Sequence, residues 1–198
     1  MNTARQGATQ MTKICRFTVD EYIDALTEFH GNFGPGLLIG GFMVDAAARR
    51  MTEYEYLDAI CESTSCLPDA IQLLTPCTVG NGWLKIVDTG RFALTLYDKK
   101  SGNGIRVSMD VSKLDGYPEI RNWFMRLVSK HEQDNDALLE EIRRAGREIF
   151  AIQTVTVSPA LLGKHTPPPI ALCASCGEAY PQNGSTVCPA CQGMDIYV

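Results

Sequence analysis

Residues 37–51 read LLIGGFMVDAAARRM, a stretch apolar on nearly every side. A helix without a polar face cannot lie on a surface, so this stretch predicts a helix at the centre of a core with other elements wrapped around it. Asp45 is its one charge before Arg49. A lone carboxylate in apolar surroundings needs a partner, and Arg49, one turn on, is the nearest in sequence.

Working outward, TVDEYIDALTEFHG (18–31) predicts a helix opened by a capping box, Thr18 with Glu21 three residues on. Val19, Ile23, Leu26 and His30 recur at helical spacing, which puts His30 on the buried face of the last turn. Gly31, Gly34, Pro35 and Gly36 then end that helix and turn the chain. On the other side, YEYLDAICES (54–63) reads as a strand and PDAIQLL (68–74) as a short helix with Pro68 in its first turn. WLKIVDTG (83–90), FALTLYDK (92–99) and GIRVSMDV (104–111) are strands joined by glycine-containing turns, with DKKSGNG (98–104) a hairpin loop.

Residues 115–130 and 134–150 read as two amphipathic helices. The second carries Leu138, Leu139, Ile142, Ala145 and Ile149 on one stripe, with Glu140 and Arg144 paired outside it. FAIQTVTV (150–157) alternates like a half-buried strand. The fold class is therefore α+β: a mixed helix and sheet core carrying a small C-terminal cysteine module.

With 198 residues, 45% of them hydrophobic, the chain can bury one good core plus an appendage. The expected organisation is a polar arm (1–17), the core (18–160), a linker with three successive prolines (161–171) and the module (172–198). No apolar run approaches the ~20 residues of a membrane span. The polar start, MNTARQGATQMTK, lacks the apolar stretch of an export signal, so a cytoplasmic setting is expected. A net charge of −5 offers no general attraction to nucleic acid or anionic lipid.

Eight cysteines in a reducing compartment point to metal or redox work rather than disulfides. Cys173-Ala-Ser-Cys176 and Cys188-Pro-Ala-Cys191 are two CxxC pairs separated by 11 residues. Two such knuckles supply the four soft ligands of a closed tetrahedral Zn²⁺ site. Gly177 and Gly193 suit the turn that follows each pair. A segment this small has no core of its own, so the metal would supply its folding energy. An iron centre uses the same four-thiolate pattern. From Leu161 to Val198 there is one Lys and no Arg, against Glu178 and Asp195. That composition fits docking or dimerisation better than phosphate binding.

In the core, Cys15 and Cys61 sit inside apolar patterns and read as buried, inert thiols. Cys66 stands just before a helix, where unpaired N–H groups favour a thiolate. Cys77 lies in a loop after Pro76, and the two could meet His30 at one site for metal or nucleophilic work. The alternative is that both merely pack under loops. Asp69 reads as a helix-start charge, and Tyr54 and Tyr97 as packing residues. GNFGPG (31–36) has neither the pattern nor the preceding strand of a phosphate loop.

The blocks FHGNFGPG (29–36), ESTSCLPDAIQ (62–72), PCTVGNG (76–82), GRFALTLY (90–97) and GIRV (104–107), followed by paired CxxC motifs, together resemble the FmdE family, which is named for formylmethanofuran dehydrogenase. The resemblance runs from about residue 18 to the end. It implies an α+β core with a C-terminal zinc finger of ribbon or treble-clef kind, dimerisation, and a setting in molybdenum- or tungsten-dependent one-carbon metabolism such as that of methanogens. Its first block reads F-H-G-H-x-C-P-G; here His30 is kept, while Asn32 and Gly34 replace the second His and the Cys. His30, Cys66 and Cys77 remain as the matching core positions, leaving room for a second metal. Two functions follow: an accessory or binding protein, homodimeric and docking a protein partner through its finger, or a redox or metal-assisted enzyme using Cys66 or Cys77 with His30.

Overall fold

The computed structural model describes residues 13–162, 167–182 and 184–194. The chain divides into two compact units, Met1–Leu162 and Gly163–Val198. Most of the expected arm and the middle of the expected linker lie outside the described residues.

The apolar stretch is helix α2, Pro35–Ala48, and every residue from Gly36 to Ala47 is buried. It is crossed by α1, Val19–His30, which opens with the capping box on Thr18 and Glu21 and closes on Gly31 in the left-handed region (φ 83°). The close crossing depends on Gly41, because a Cβ there would overlap the Tyr22 ring. Tyr22 is fully buried, and its hydroxyl donates to the Leu37 carbonyl at 3.0 Å. The buried face of α1 is Val19, Tyr22 and Leu26. His30 is not on it. Leu26 and His30 share an azimuth, but the last turn runs past the end of the packed core, so Phe29 and His30 are both exposed.

Residues 13–18, expected mostly as arm, form a small hairpin of β1, Lys13–Ile14, and β2, Phe17–Thr18, with Ile14 fully buried. The Cys15 N–H donates to Asp45 at 2.7 Å. Arg49 (2.7 Å) and Arg147 (2.5 Å) complete the partners of that buried carboxylate, so Arg49 is one of three.

A five-stranded sheet lies against the helices. Its strands are β3 (Leu57–Cys61), β4 (Leu84–Ile86), β5 (Ala93–Asp98), β6 (Asn103–Met109) and β7 (Phe150–Thr156), in the order β4-β3-β5-β6-β7. The pair β3–β4 is parallel and the others antiparallel. A parallel neighbour requires a crossover, here through α3, Leu67–Leu74. Ala59, Cys61, Leu84, Leu94, Leu96, Val107 and Phe150 join the helices in the main core. On the opposite face Tyr97 packs with Ile60 and Val157, beneath Leu161 and Leu162 of α6, Pro159–Leu162.

That second face also buries charge. Asp58 faces Lys99 at 3.4 Å and Lys85 at 3.6 Å, and Lys85 donates to the Tyr97 hydroxyl. Glu62 takes the Arg106 guanidinium through both oxygens (2.6 and 3.1 Å) and Arg91 at 2.8 Å. Buried carboxylates persist only when paired in this way.

The two later helices are shorter than their patterns. They are α4, Pro118–Phe124, and α5, Asn135–Ala145, whose stripe packs Leu138, Ile142 and Ala145 inward. Arg144 pairs with Glu141 at 3.7 Å rather than with Glu140. In the second unit, β8, Ile170–Leu172, pairs antiparallel with β9, Ala179–Pro181, so the expected linker already contains strand residues.

Candidate metal centre and core site

The ligand atoms of Cys173, Cys176, Cys188 and Cys191 all lie within 4.8 Å of one another. Four sulfurs at ~2.3 Å from one ion in a tetrahedron stand roughly 3.8 Å apart, and the Cys176 and Cys188 sulfurs are separated by 3.9 Å. Local structure brings them there. The Cys173 carbonyl accepts from the Gly177 N–H, and Gly177 adopts φ 76°, which closes the first knuckle. The second pair begins a short 3-10 turn, Ala190–Gln192, capped by Gly193 at φ 105°.

The N–H groups of Ser175 and Cys188 point at the Cys173 sulfur (3.4 and 3.3 Å). Donors from Cys188, Cys176 and Ser175 draw that thiol down to about 6, readying it as a thiolate ligand. Tyr180 packs against Cys173 and Cys188 as the module's small core. The residues fit structural zinc: the ion would hold the two knuckles together and leave no position open for chemistry.

The core residues behave differently. Among the described residues, the only group with metal-ligand geometry is the C-terminal four. His30, Cys66 and Cys77 are not brought to one point. Cys77 is buried and donates its thiol to the Leu57 carbonyl at 3.4 Å, beside the first residue of β3. Burial pushes that thiol up to about 11, so it is an inert packing group. Cys66 lies elsewhere, before α3 and against Gly36 at the start of α2. Cys15 and Cys61, expected inert, are likewise raised to about 11 by burial.

Cys66 occupies an unusual backbone position. Its φ and ψ are 62° and −55°, and the N–H of Leu67 bonds to the carbonyl of Ser65 at 2.7 Å, closing a strained positive-φ γ-turn at the entry to α3. The expectation of a helix-start thiolate fails here. The side chain caps no helix N–H, and burial, followed by the Asp69 carboxylate, raises the thiol above its ordinary value. A Cβ on Gly36 would stand 3.1 Å from the Cys66 sulfur and 3.4 Å from the Trp123 ring, so thiol and indole line the same spot at the start of α2.

His30 instead meets Asp69. Its Nδ1 lies 2.5 Å from Asp69 Oδ2, and Asp69 Oδ1 accepts from the Gln72 side chain at 3.2 Å. Asp69 stands three residues after Cys66, on the same side of α3. His30, Asp69 and Gln72 thus form one hydrogen-bonded chain, and Cys66, one turn before Asp69, stands beside Trp123 and Gly36; together they are the candidate core site. Asp69 is thus the partner of His30 and not merely a helix-start charge. An aspartate-to-glutamine spacing of three on one helix is the sequence signal for the Asp69–Gln72 contact.

Fold and metal centre define a class: an α+β domain followed by a treble-clef-like zinc finger. The sequence profile of FmdE, molybdenum formylmethanofuran dehydrogenase operon, matches residues 29–157, and that of the FmdE treble clef zinc finger matches residues 164–198. The chain belongs to the FmdE family. It is similar to the crystal structure of a tungsten formylmethanofuran dehydrogenase FmdE-like protein from Syntrophus aciditrophicus, with 46% identity and a TM-score of 0.87 over 96% of this chain and 100% of that one. A probable S-adenosyl-L-methionine-binding protein of Archaeoglobus fulgidus is 29% identical over 152 residues, which are 67% of this chain but 42% of that protein's length.

Proposed function

We propose that this protein is a zinc-stabilised accessory or binding protein of molybdenum- or tungsten-dependent one-carbon metabolism of the formylmethanofuran dehydrogenase type. It works in the cytoplasm as a homodimer whose finger docks a protein partner. The observation that carries the reading is the composition of the core site. His30 and Cys66 offer one imidazole and one thiol donor, Asp69 is engaged by His30 and Gln72, Cys77 is turned away, and Asn32 and Gly34 supply no further ones. Two donors hold a resident ion poorly, but they suit an incoming metal-bearing group that brings its own remaining ligands. Burial makes the Cys66 thiol a poor free nucleophile, and an incoming metal would have to displace its proton on binding.

A redox or metal-assisted enzyme built on Cys66 and His30 is the second reading, favoured by the strained γ-turn under the thiol, since backbone strain gathers at reactive positions. Metal content of the purified protein separates the two. The accessory reading expects one zinc per chain, lost in Cys173→Ser/Cys176→Ser and unchanged in His30→Ala. A second tightly held ion that survives the finger variant and disappears with His30→Ala overturns it and moves the enzyme ahead.

A further inference from the structure

The PCTVGNG loop, residues 76–82, carries none of the site's donors, yet it is tightly tied. Asn81 Oδ1 accepts from the N–H groups of Thr78 (3.1 Å) and Trp83 (3.0 Å), its Nδ2 donates to the Pro76 carbonyl (2.8 Å), and its own N–H bonds to the Thr78 hydroxyl (3.1 Å). Gly82 adopts φ 73°, the conformation that closes the turn. Cys77 anchors one end of the loop in the core, while Val79 is 54% exposed, so hydrogen bonds hold its outer part. At the exposed tip the Val79 N–H points out of the loop and meets Gln72 Oε1 at 3.2 Å.

That single N–H sets the polarity of a chain of bonds. A backbone N–H can only donate, so the oxygen of the Gln72 amide must face it and the NH₂ must face the other way. The NH₂ can only donate, so Asp69 Oδ1, at 3.2 Å, must accept. Asp69 is thereby fixed in rotation with Oδ2 aimed at His30 Nδ1, 2.5 Å off. A carboxylate oxygen held there calls for a proton on Nδ1, which leaves Nε2 as a bare lone pair whenever the ring is neutral. Among the described residues Nε2 has no partner, so the lone pair is free to receive a ligand. Metal-binding imidazoles are oriented by a carboxylate in the same way.

We infer that Gln72 is a positioning residue: anchored by the 76–82 loop, it fixes the tautomer of His30 and presents Nε2 as the donor of the core site. The use of that donor rests on the receiving role given above, but the tautomer itself does not require any ion to bind. The test is therefore run on full-length, zinc-loaded protein with nothing added to the core. Long-range ¹H–¹⁵N spectra at about pH 8, above the ordinary histidine value of ~6.5, report which ring nitrogen carries the proton. A His30→Gln variant assigns the signal among the three histidines.

The expected result is Nδ1–H with Nε2 bare in the wild type, and a shift of population toward Nε2–H in Gln72→Leu. Asn81→Ala, which loosens the loop without altering α3, should move the population the same way by less. A wild-type ring protonated on Nε2, or a tautomer unchanged in both variants, overturns the inference. Neither result depends on metal content, so this test and that of the receiving role fail separately.

Discussion

The two units of this chain solve one problem by opposite means. The core surrounds an apolar helix, α2, with a sheet and four other helices, and its cohesion is spread over some thirty buried side chains. The finger buries Cys173, Tyr180 and Cys188, and these cannot outweigh the conformational entropy of the segment. There the holding force is concentrated in four sulfurs around one ion. Distributed cohesion tolerates local change, whereas concentrated cohesion fails at a single bond. The same division sorts the cysteines: those of the finger converge on one point, with Cys173 drawn toward the thiolate, whereas burial raises the thiols of the core and leaves Cys15, Cys61 and Cys77 as packing groups.

The sharpest way to break this comparison is Cys173→Ser/Cys176→Ser. Structural zinc sites contribute ~10–16 kcal/mol of apparent binding energy, so the finger should lose its ion and its amide-exchange protection together. The α2 amides in the same sample should keep theirs; loss of protection in both places would show that cohesion is shared. Next in size is Gly41→Ala, which forces a methyl into the Tyr22 ring and should cost the core about 1–3 kcal/mol in denaturant unfolding, with zinc content unchanged.

Acid sharpens the contrast further. The N–H groups of Ser101, Tyr56 and Glu55 hold the Asp98 carboxyl well below the ordinary carboxylate range. A depressed value in the folded state contributes stability that is fully present above the unfolded value of ~3.9 and is lost as pH falls below it. Asp98→Asn should therefore cost on the order of 1 kcal/mol at neutral pH, and the gap from wild type should close in acid. The smallest effect is kinetic. Cys66, half-buried with a raised thiol, should be alkylated slowly at neutral pH and faster as pH climbs past 9, while Cys77 is protected until the core unfolds. Rapid neutral-pH labelling at Cys66, read by mass spectrometry, would restore the thiolate.

Much of this was readable in the chain itself. The capping box, the all-apolar α2, the β5–β6 hairpin and the four zinc ligands each follow from local pattern. What escaped was tertiary. Helical spacing gives the azimuth of His30 but not where along the axis the core ends. Nothing in the residue type of Cys66 announces a positive φ, which is imposed by the abrupt passage from β3 into α3. Cys77 and Cys66 look alike as loop cysteines 11 positions apart, yet one bonds the first residue of β3 and the other lies against the start of α2. The Asp69 partnership spans 39 residues and is invisible to any local window.

Asp45 has a consequence for where this protein can be cut. Its carboxylate gathers the Cys15 N–H from the first hairpin, Arg49 from the end of its own helix and Arg147 from beyond α5. Cutting away the hairpin strips Ile14 from the core and takes a donor from a buried charge, so the domain reaches at least to β1, ahead of the first helix and of any residue of the site.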